Sequence, residues 1–143
     1  MEEPQVVPEE QIAKSIVAYI AGFFDGEGCI HARIRNNAQP NAVLTISQKN
    51  PKVLYWITKT VGYGHVTECY NEKWVRNIWR VTGRDKTKSF IKMILPFSKV
   101  KKKQLQVGLK LLALIGKPGD HPVSKSNLTK RLKLHNKLKE LKR

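Results

Sequence analysis

The segment Ile20-Ala21-Gly22-Phe23-Phe24-Asp25-Gly26-Glu27-Gly28 decides the fold of this chain. Apolar residues recur at helical spacing from position 12 to position 24, which predicts a helix that is buried over most of its surface. Three small residues, Ala18, Gly22 and Gly26, recur every four positions along this helix. Small residues on one helical face let a second helix approach closely, either another helix of the same chain or the same helix of a second subunit.

Two carboxylates, Asp25 and Glu27, lie at the end of the predicted helix. A helix C-terminus carries partial negative charge, so each carboxylate there costs a few tenths to about 1 kcal/mol. A divalent cation would reverse this cost, and Mg²⁺ is satisfied by one carboxylate, a backbone carbonyl, phosphate oxygens and water. The alternative is an acidic turn that ends the helix without a metal, and spacing alone does not decide between the two.

The composition favours a folded protein that binds a polyanion. The 143 residues suffice for one domain with a hydrophobic core. The chain carries 27 Lys and Arg against 11 Asp and Glu, a net charge of +16, and 41% hydrophobic residues exclude a wholly disordered basic tail. No signal-peptide pattern and no apolar run of membrane-spanning length is present, so we expect an intracellular protein without a membrane partner.

Helical and strand patterns alternate along the rest of the chain. Two hairpins are predicted, at 29–47 and 65–82, with a helix at about 50–61 between them. Further helices are predicted at about 85–95, 101–115 and 127–141, so the fold is α+β with an antiparallel sheet. We expect a flexible acidic tail at 1–7, a core domain at 8–116 whose first helix begins near Pro8, and a linker with a basic C-terminal helix of the same domain at 117–143.

Strand alternation predicts a sheet with one apolar and one polar face. In the first strand Ile30, Ala32 and Ile34 point to the core, and basic or polar residues alternate with them. In the fourth strand the core-facing residues are Val75, Trp79 and Val81. The predicted outward-facing residues on the four strands are His31, Arg33, Arg35, Asn37, Asn41, Val43, Thr45, His65, Thr67, Cys69, Arg76, Ile78 and Arg80.

The two cysteines are expected to be free thiols, since they are too few for a disulfide framework. Together with His31 and His65, Cys29 and Cys69 offer two sulfurs and two imidazoles, a set that in principle binds zinc. Their spacing matches neither a zinc finger nor a zinc ribbon, which argues against a zinc site.

The motif at residues 20–28 resembles the one that names the LAGLIDADG homing endonucleases. The resemblance implies an αββαββα fold with a saddle-shaped antiparallel sheet that lies in the DNA major groove, and here it is followed by extra C-terminal helices. A single copy of the motif resembles the homodimeric branch of the family, in which two motif helices pack side by side. The implied dimer interface consists of Ala18, Gly22, Asp25 and Gly26.

The resemblance also implies a catalytic site. Glu27 would be the metal ligand with the Gly26 carbonyl beside it, and Asp25 would cap or brace the two helix ends. The family has polar and basic residues around the attacking water, and three positions match them: Gln48, Lys52 and Lys101. Gln48 would orient the water, and the two lysines would stabilise the transition state. Gln48 has the strand parity of the core-facing residues, so it reaches the site only if the strand ends or bends there. The implied cofactor is Mg²⁺, with Mn²⁺ as a substitute.

The implied activity is site-specific hydrolysis of both strands of a long, nearly palindromic duplex by a homodimer, in the service of intron homing. The outward face would read base edges, because Arg binds guanine, Asn binds adenine and apolar groups contact thymine methyls. Lys102 and Lys103 would contact phosphates. An intron RNA maturase and a DNA-binding protein that does not cleave are the alternatives, the first with intron RNA as partner. Members of this kind would work in a chloroplast, a mitochondrion or the prokaryotic cytoplasm.

Overall fold

The computed structural model describes residues 12–34, 40–115 and 124–142. The predicted acidic tail, the helix start near Pro8, the side chains of Arg35 and Asn37, and most of the predicted linker lie outside these residues. In chain order the elements are α1 (Lys14–Glu27), β1 (Gly28–Ile34), β2 (Pro40–Gln48), α2 (Lys52–Val61), β3 (His65–Tyr70), β4 (Val75–Val81), α3 (Arg84–Ile94), a short 3-10 turn (Leu95–Phe97), α4 (Lys102–Ala113) and α5 (Lys125–Leu141).

The four strands form one antiparallel sheet in the order β1-β2-β4-β3, which contains the two predicted hairpins, β1-β2 and β3-β4. Cross-strand pairing fixes which residues share a face, because directly opposed residues point the same way. One row runs from Cys29 through Thr45 and Arg80 to His65. Its neighbours along β2 are rows that contain Val43 and Ser47. The α+β fold and the division of the sheet into two faces are therefore confirmed.

The hydrophobic core lies between the helices and the other face of the sheet. Trp79 of β4 is fully buried, and its ring centroid lies 5.0 Å from that of Phe90 in α3. Gly64 has a φ of 97° and lies so close to the Trp79 indole that a Cβ there would overlap it. Val75 was predicted to face this core, but it is 50% exposed because β4 begins beyond the edge of the helical layer.

The α5 helix packs antiparallel to α4, and each helix supplies donors for the other's C-terminal carbonyls. Asn127 Nδ2 and Arg131 Nη2 donate to the Leu114 carbonyl at 3.1 and 2.9 Å, and Gln104 Nε2 contacts the Leu141 carbonyl at 3.5 Å. Leu138 is buried in the core. The predicted start of this helix at residue 127 was two positions late, because the Ser124 side chain accepts from the Asn127 N–H and caps the helix earlier.

The α1 helix is buried on one face only, contrary to the prediction that most of its surface is buried. Val17, Ile20, Ala21 and Phe24 face the core, whereas Tyr19 is 56% exposed. The apolar spacing in the sequence therefore reflects two faces, a core face and a bare apolar face.

None of the described helices is long and apolar enough to cross a membrane.

Candidate active site and nucleic-acid interface

The carboxyl end of α1 leads directly into β1, since Glu27 ends the helix and Gly28 begins the strand. The Gly28 N–H donates to the Phe24 carbonyl, and a Cβ on Gly28 would overlap the Phe24 ring. The change of direction thus depends on glycine at this position. Glu27 and Gly26 are both exposed, so the two predicted metal ligands lie at an open helix end.

The Asp25 carboxylate is held by a segment that is distant in sequence. Oδ1 accepts from Ser98 Oγ at 2.6 Å and from the Lys101 N–H at 3.2 Å. Oδ2 accepts from the N–H groups of Lys99 and Val100 at 2.7 and 3.2 Å. Within this chain Asp25 therefore caps the turn before α4, which presents three adjacent N–H groups. Its predicted role in capping or bracing the two motif helix ends stays a prediction.

The Lys101 side chain also bonds to the end of α1. Its Nζ donates to the carbonyls of Phe24 and Asp25 at 3.1 and 2.8 Å. Burial lowers the pKa of Lys101 below its ordinary value of 10.5, and the neighbouring Cys29, Asp25 and Glu27 partly offset this effect. Lys101 was predicted to act on the attacking water. Within this chain its ammonium stabilises two carbonyls at the negative end of the helix, as a positioning residue, and its action on the attacking water stays a prediction.

Replacing Asp25 by Asn is expected to lower the free energy of unfolding by about 1–3 kcal/mol near neutral pH, since hydrogen bonds to a charged acceptor are lost. Burial by itself would raise the pKa of Asp25, but the bonds from Ser98, Lys99, Val100 and Lys101 outweigh it, so the pKa lies below 3.8. The stabilisation is therefore complete above this value and is lost as the pH falls through the folded-state pKa. Urea unfolding at several pH values measures the effect.

The matched control for Asp25→Asn is Glu72→Gln, which removes a carboxylate from an exposed turn and should leave stability unchanged. Equal stability of the Asp25 variant and the unaltered protein near neutral pH would contradict the capping role.

Replacing Lys101 by Met keeps the aliphatic stem but removes the donor to two carbonyls. We expect the free energy of unfolding to fall by about 1–3 kcal/mol. Nuclease activity should fall as well. Lys86→Met, at an exposed position of α3, should preserve both. A loss of activity with unchanged stability would instead place Lys101 at the reacting atoms, as the sequence predicted. Thermal unfolding and DNA cleavage are measured on the same preparations.

Gln48 is the last residue of β2. It lies near the point where α1 leads into β1, because Gly28, the first residue of β1, pairs with Ile46. It is half-buried, and its Oε1 accepts from the Lys49 N–H at 3.0 Å. Asn77 was not among the predicted site residues. It is 3% exposed and donates from Nδ2 to the Lys49 carbonyl at 2.9 Å. A polar residue at a core-facing position of β4 was the available signal. Asn77 fixes the end of the strand that carries Gln48.

Lys52 lies away from the carboxylate end. It lines a groove of about 510 Å³ with Ser15, Ile16, Tyr19, Val53 and Trp56. Ser15 precedes Glu27 by 12 helical positions, a rise of about 18 Å. Within one chain, therefore, the structure brings Lys101 and the α1 end together but leaves Lys52 beside the first half of the helix. Its catalytic role stays a prediction.

The polar face of the sheet is basic. Arg33, Arg76 and Arg80 are exposed, and none of the described strand residues on this face is acidic. Glu68 points to the opposite side, where its Oε1 accepts from Tyr55 Oη at 3.0 Å. Burial, followed by the charges of Lys142, Arg80 and Arg76, lowers the pKa of His31, which reflects the positive potential of this face.

Three residues that were predicted to contact bases have structural roles on this face. Val43 and Thr45 are each only 6% exposed and form the floor of a shallow pocket between Arg33 and Arg80. His31 Nε2 lies 2.9 Å from Thr45 Oγ1, and Nδ1 lies 3.5 Å from Lys142 Nζ. An ammonium only donates, so Nδ1 accepts and Nε2 carries the proton. Strand alternation gives the face of a residue but not its depth or its bonding partners, and the contact of these three residues with bases stays a prediction.

A zinc site is not formed by the described residues, which contain no group of three or more potential ligands. Cys29 lies on β1 and Cys69 on β3, and these are the two edge strands of the sheet. Three strand spacings separate them, about 14 Å. Both thiols are free.

A sequence model of LAGLIDADG endonucleases matches residues 20–111. This match covers more than half of the chain. The chain belongs to the LAGLIDADG endonuclease family. The fold and the enzyme class that the motif implied are thereby confirmed. The match starts within the second half of α1 and ends in α4, so α5 lies outside it.

Solved structures of homing endonucleases resemble this LAGLIDADG chain along most of its length. I-CvuI in complex with its target in Ca²⁺ is 25% identical, with a TM-score of 0.75 over 89% of this chain and 82% of that one. The archaeal intron-encoded I-Vdi141I, complexed with DNA, is 22% identical with a TM-score of 0.76 over 89% and 84%. I-TnaI is 22% identical with a TM-score of 0.67 over 96% and 97%. No curated protein matches the sequence significantly.

The motif helix of this LAGLIDADG chain presents a bare backbone on its outer face. Ala18, Gly22 and Gly26 are exposed, and a Cβ added to either glycine would meet no atom within 4 Å. Tyr19 flanks this face and contacts Trp56 edge-on at 5.6 Å. We call the face formed by Ala18, Gly22 and Gly26 the bare face of α1. Its surface is narrow, apolar and open to a second helix.

Proposed function

We propose that the protein is a homodimeric, divalent-metal-dependent endonuclease that cleaves both strands of a long, nearly palindromic DNA site. The observation that carries this proposal is that three features adjoin one another at the end of α1. The exposed Glu27 carboxylate lies between the bare face of α1 and the arginine-bearing face of the sheet. Related homing endonucleases with the same fold were solved with DNA bound.

The residues at the helix end suit Mg²⁺, with Mn²⁺ as a substitute. Glu27 and the Gly26 carbonyl are hard oxygen donors, and Gly26 has open space beside it. Asp25 is committed to the turn before α4, so one chain provides a single free carboxylate here. Mg²⁺ accepts such a sparse set because it keeps water and takes phosphate oxygens. When bound, the ion supplies a more acidic water and stabilises charge on the phosphate.

The chain's own residues position the reacting groups. The mutual contact between Asp25 and Lys101 fixes the end of α1, which sets the direction of Glu27. Gln48, at the same edge of the sheet, orients a water molecule through its amide. The arginine face and exposed lysines of α4, including Lys102 and Lys103, bind the duplex and hold the phosphodiester over Glu27.

Dimerisation supports cleavage of both strands. One chain offers one Glu27, whereas two strands require two sites related by a two-fold axis. The bare face of α1 leads to Glu27, so pairing of two such faces would bring the two carboxylates close together. Exposed aromatic side chains beside it, such as Tyr19 and Trp56, add apolar area to the same interface.

A selection from a randomised duplex library tests the proposal. The protein is incubated with the library in Mg²⁺, where cut ends are sequenced, and separately in Ca²⁺, where bound duplexes are sequenced. We expect discrete Mg²⁺-dependent cuts within a nearly palindromic sequence that is also enriched in Ca²⁺. Selective binding without cuts would indicate a DNA-binding protein. Neither binding nor cuts would overturn the DNA function, and intron RNA would be tested next.

A further inference from the structure

Three arginines dominate the part of the sheet face that remains free to read bases. Arg33 on β1 and Arg76 and Arg80 on β4 are exposed. Within the described parts of the chain, the side chains of Arg33 and Arg80 donate no hydrogen bond and contact no carboxylate. Ser47 Oγ accepts from Nε and Nη2 of Arg76 at 3.2 and 3.0 Å, which holds the plane of that guanidinium.

Several polar side chains beside these arginines are already bonded within the chain. Asn41 Oδ1 accepts from the Ala42 N–H at 2.7 Å, which uses one of its two lone pairs. Thr45 and His31 are bonded to each other, and Lys142 faces the other His31 nitrogen. Adenine and cytosine both present an amino donor in the major groove, whereas guanine presents only the acceptors O6 and N7. The free donors of Arg33 and Arg80 therefore match guanine best.

We propose that each half of the DNA site carries G·C base pairs at three positions, where guanine is read by Arg33, Arg80 and Arg76. The proposal rests on the DNA-binding function of the same face. Specificity then comes from arginine side chains that keep two parallel N–H groups available. His31, Val43 and Thr45 support these arginines from beneath.

The register of the sheet sets the spacing of these base pairs. Arg33 lies opposite Asn41 and Arg80 opposite Thr45, so the two arginine rows are four residues apart along β2. Arg76 lies four residues from Arg80 along β4. Four strand residues span about 14 Å, and a duplex rises about 3.4 Å per base pair. With the strands along the groove, consecutive G·C pairs are therefore expected about four base pairs apart.

The test compares the unaltered protein with Arg80→Lys, Arg80→Ala and Lys103→Met in the Ca²⁺ binding selection. Lys keeps the positive charge of Arg80 but not its paired donors, so it is the sharper variant. We expect the unaltered protein to enrich G·C at three spaced positions per half-site. Both Arg80 variants should lose the preference at the middle position only. Lys103→Met should weaken binding to every sequence alike, because phosphate contacts carry no base information.

Equilibrium binding to synthetic duplexes gives the size of the effect. Exchanging the middle G·C pair for A·T is expected to weaken binding by the unaltered protein about 5- to 150-fold, and to leave binding by Arg80→Ala unchanged. A selected site without G·C at the position that Arg80 governs would overturn the inference but keep the DNA function. Absence of any selected sequence would overturn both. Thermal unfolding confirms that the exposed Arg80 variants are folded.

Discussion

Replacing Glu27 by Gln is expected to reduce Mg²⁺-dependent DNA cleavage by at least about a thousandfold, while binding in Ca²⁺ stays within a few-fold of the unaltered protein. Glu27 is exposed at the end of α1, and Asp25 is already committed to the turn before α4. Among the residues that the structure describes, no nearby carboxylate is therefore free to replace the lost ligand charge. The amide has nearly the same shape, so folding and the sheet face remain unchanged. Single-turnover cleavage of a selected duplex and gel-shift titration measure the two effects.

Glu140→Gln provides the matched control, since Glu140 is an exposed carboxylate on α5. It should cleave and bind as the unaltered protein does. Retained cleavage by Glu27→Gln would remove Glu27 from its proposed role. A parallel loss of cleavage and of binding would indicate that the substitution disturbs the DNA-binding face rather than the metal.

Replacing Gly22 by Leu is expected to separate folding from dimerisation. A Cβ at Gly22 meets no atom within 4 Å in the single chain, and Leu favours a helix over Gly by about 1 kcal/mol. The isolated fold should therefore be as stable as before or more so. In the proposed dimer the new side chain occurs twice at the closest helix contact, so the dimer dissociation constant should rise about 30-fold or more. Sedimentation velocity and cleavage assays should show monomers that do not cut both strands.

Two further substitutions bracket this result. Ala113→Leu, on an exposed position of α4, should change neither dimerisation nor cleavage. Gly28→Ala should instead unfold the chain, since its Cβ would overlap the Phe24 ring. A Gly22→Leu protein that remains dimeric would show that the bare face of α1 is not the interface.

The sequence predicted the fold well because local patterns encode it. Helical spacing, strand alternation and hairpin turns are properties of neighbouring residues, whereas the pairing of β2 with β4 was not predicted. The motif at residues 20–28 likewise identified the helix that ends at Glu27. The basic face was predictable for the same reason, since Arg33, Arg76 and Arg80 have the parity opposite to the core residues.

How deeply a side chain is buried and what it bonds to were harder to predict than the face on which it lies. The sequence placed Val43 and His31 on the correct face, but Val43 is buried, and Thr45 of β2 and Lys142 after α5 lie against the two nitrogens of His31. Likewise, the apolar spacing of α1 could not distinguish a helix buried on all sides from one with a core face and a bare face. Both distinctions depend on what packs nearby, and this is not a local property.

By itself, the sequence determined the α+β architecture, the positive charge, the polar face of the sheet and the position of Glu27 at a helix end. Only the tertiary structure decided how that end is held. Asp25 and Ser98 are 73 positions apart, and their contact exists because α4 packs where α1 meets β1. Periodicity reports which side of an element is apolar, whereas the partner of a polar group depends on the relative placement of distant elements. For this reason Lys101, which the motif family implied to be catalytic, is a donor to the end of α1.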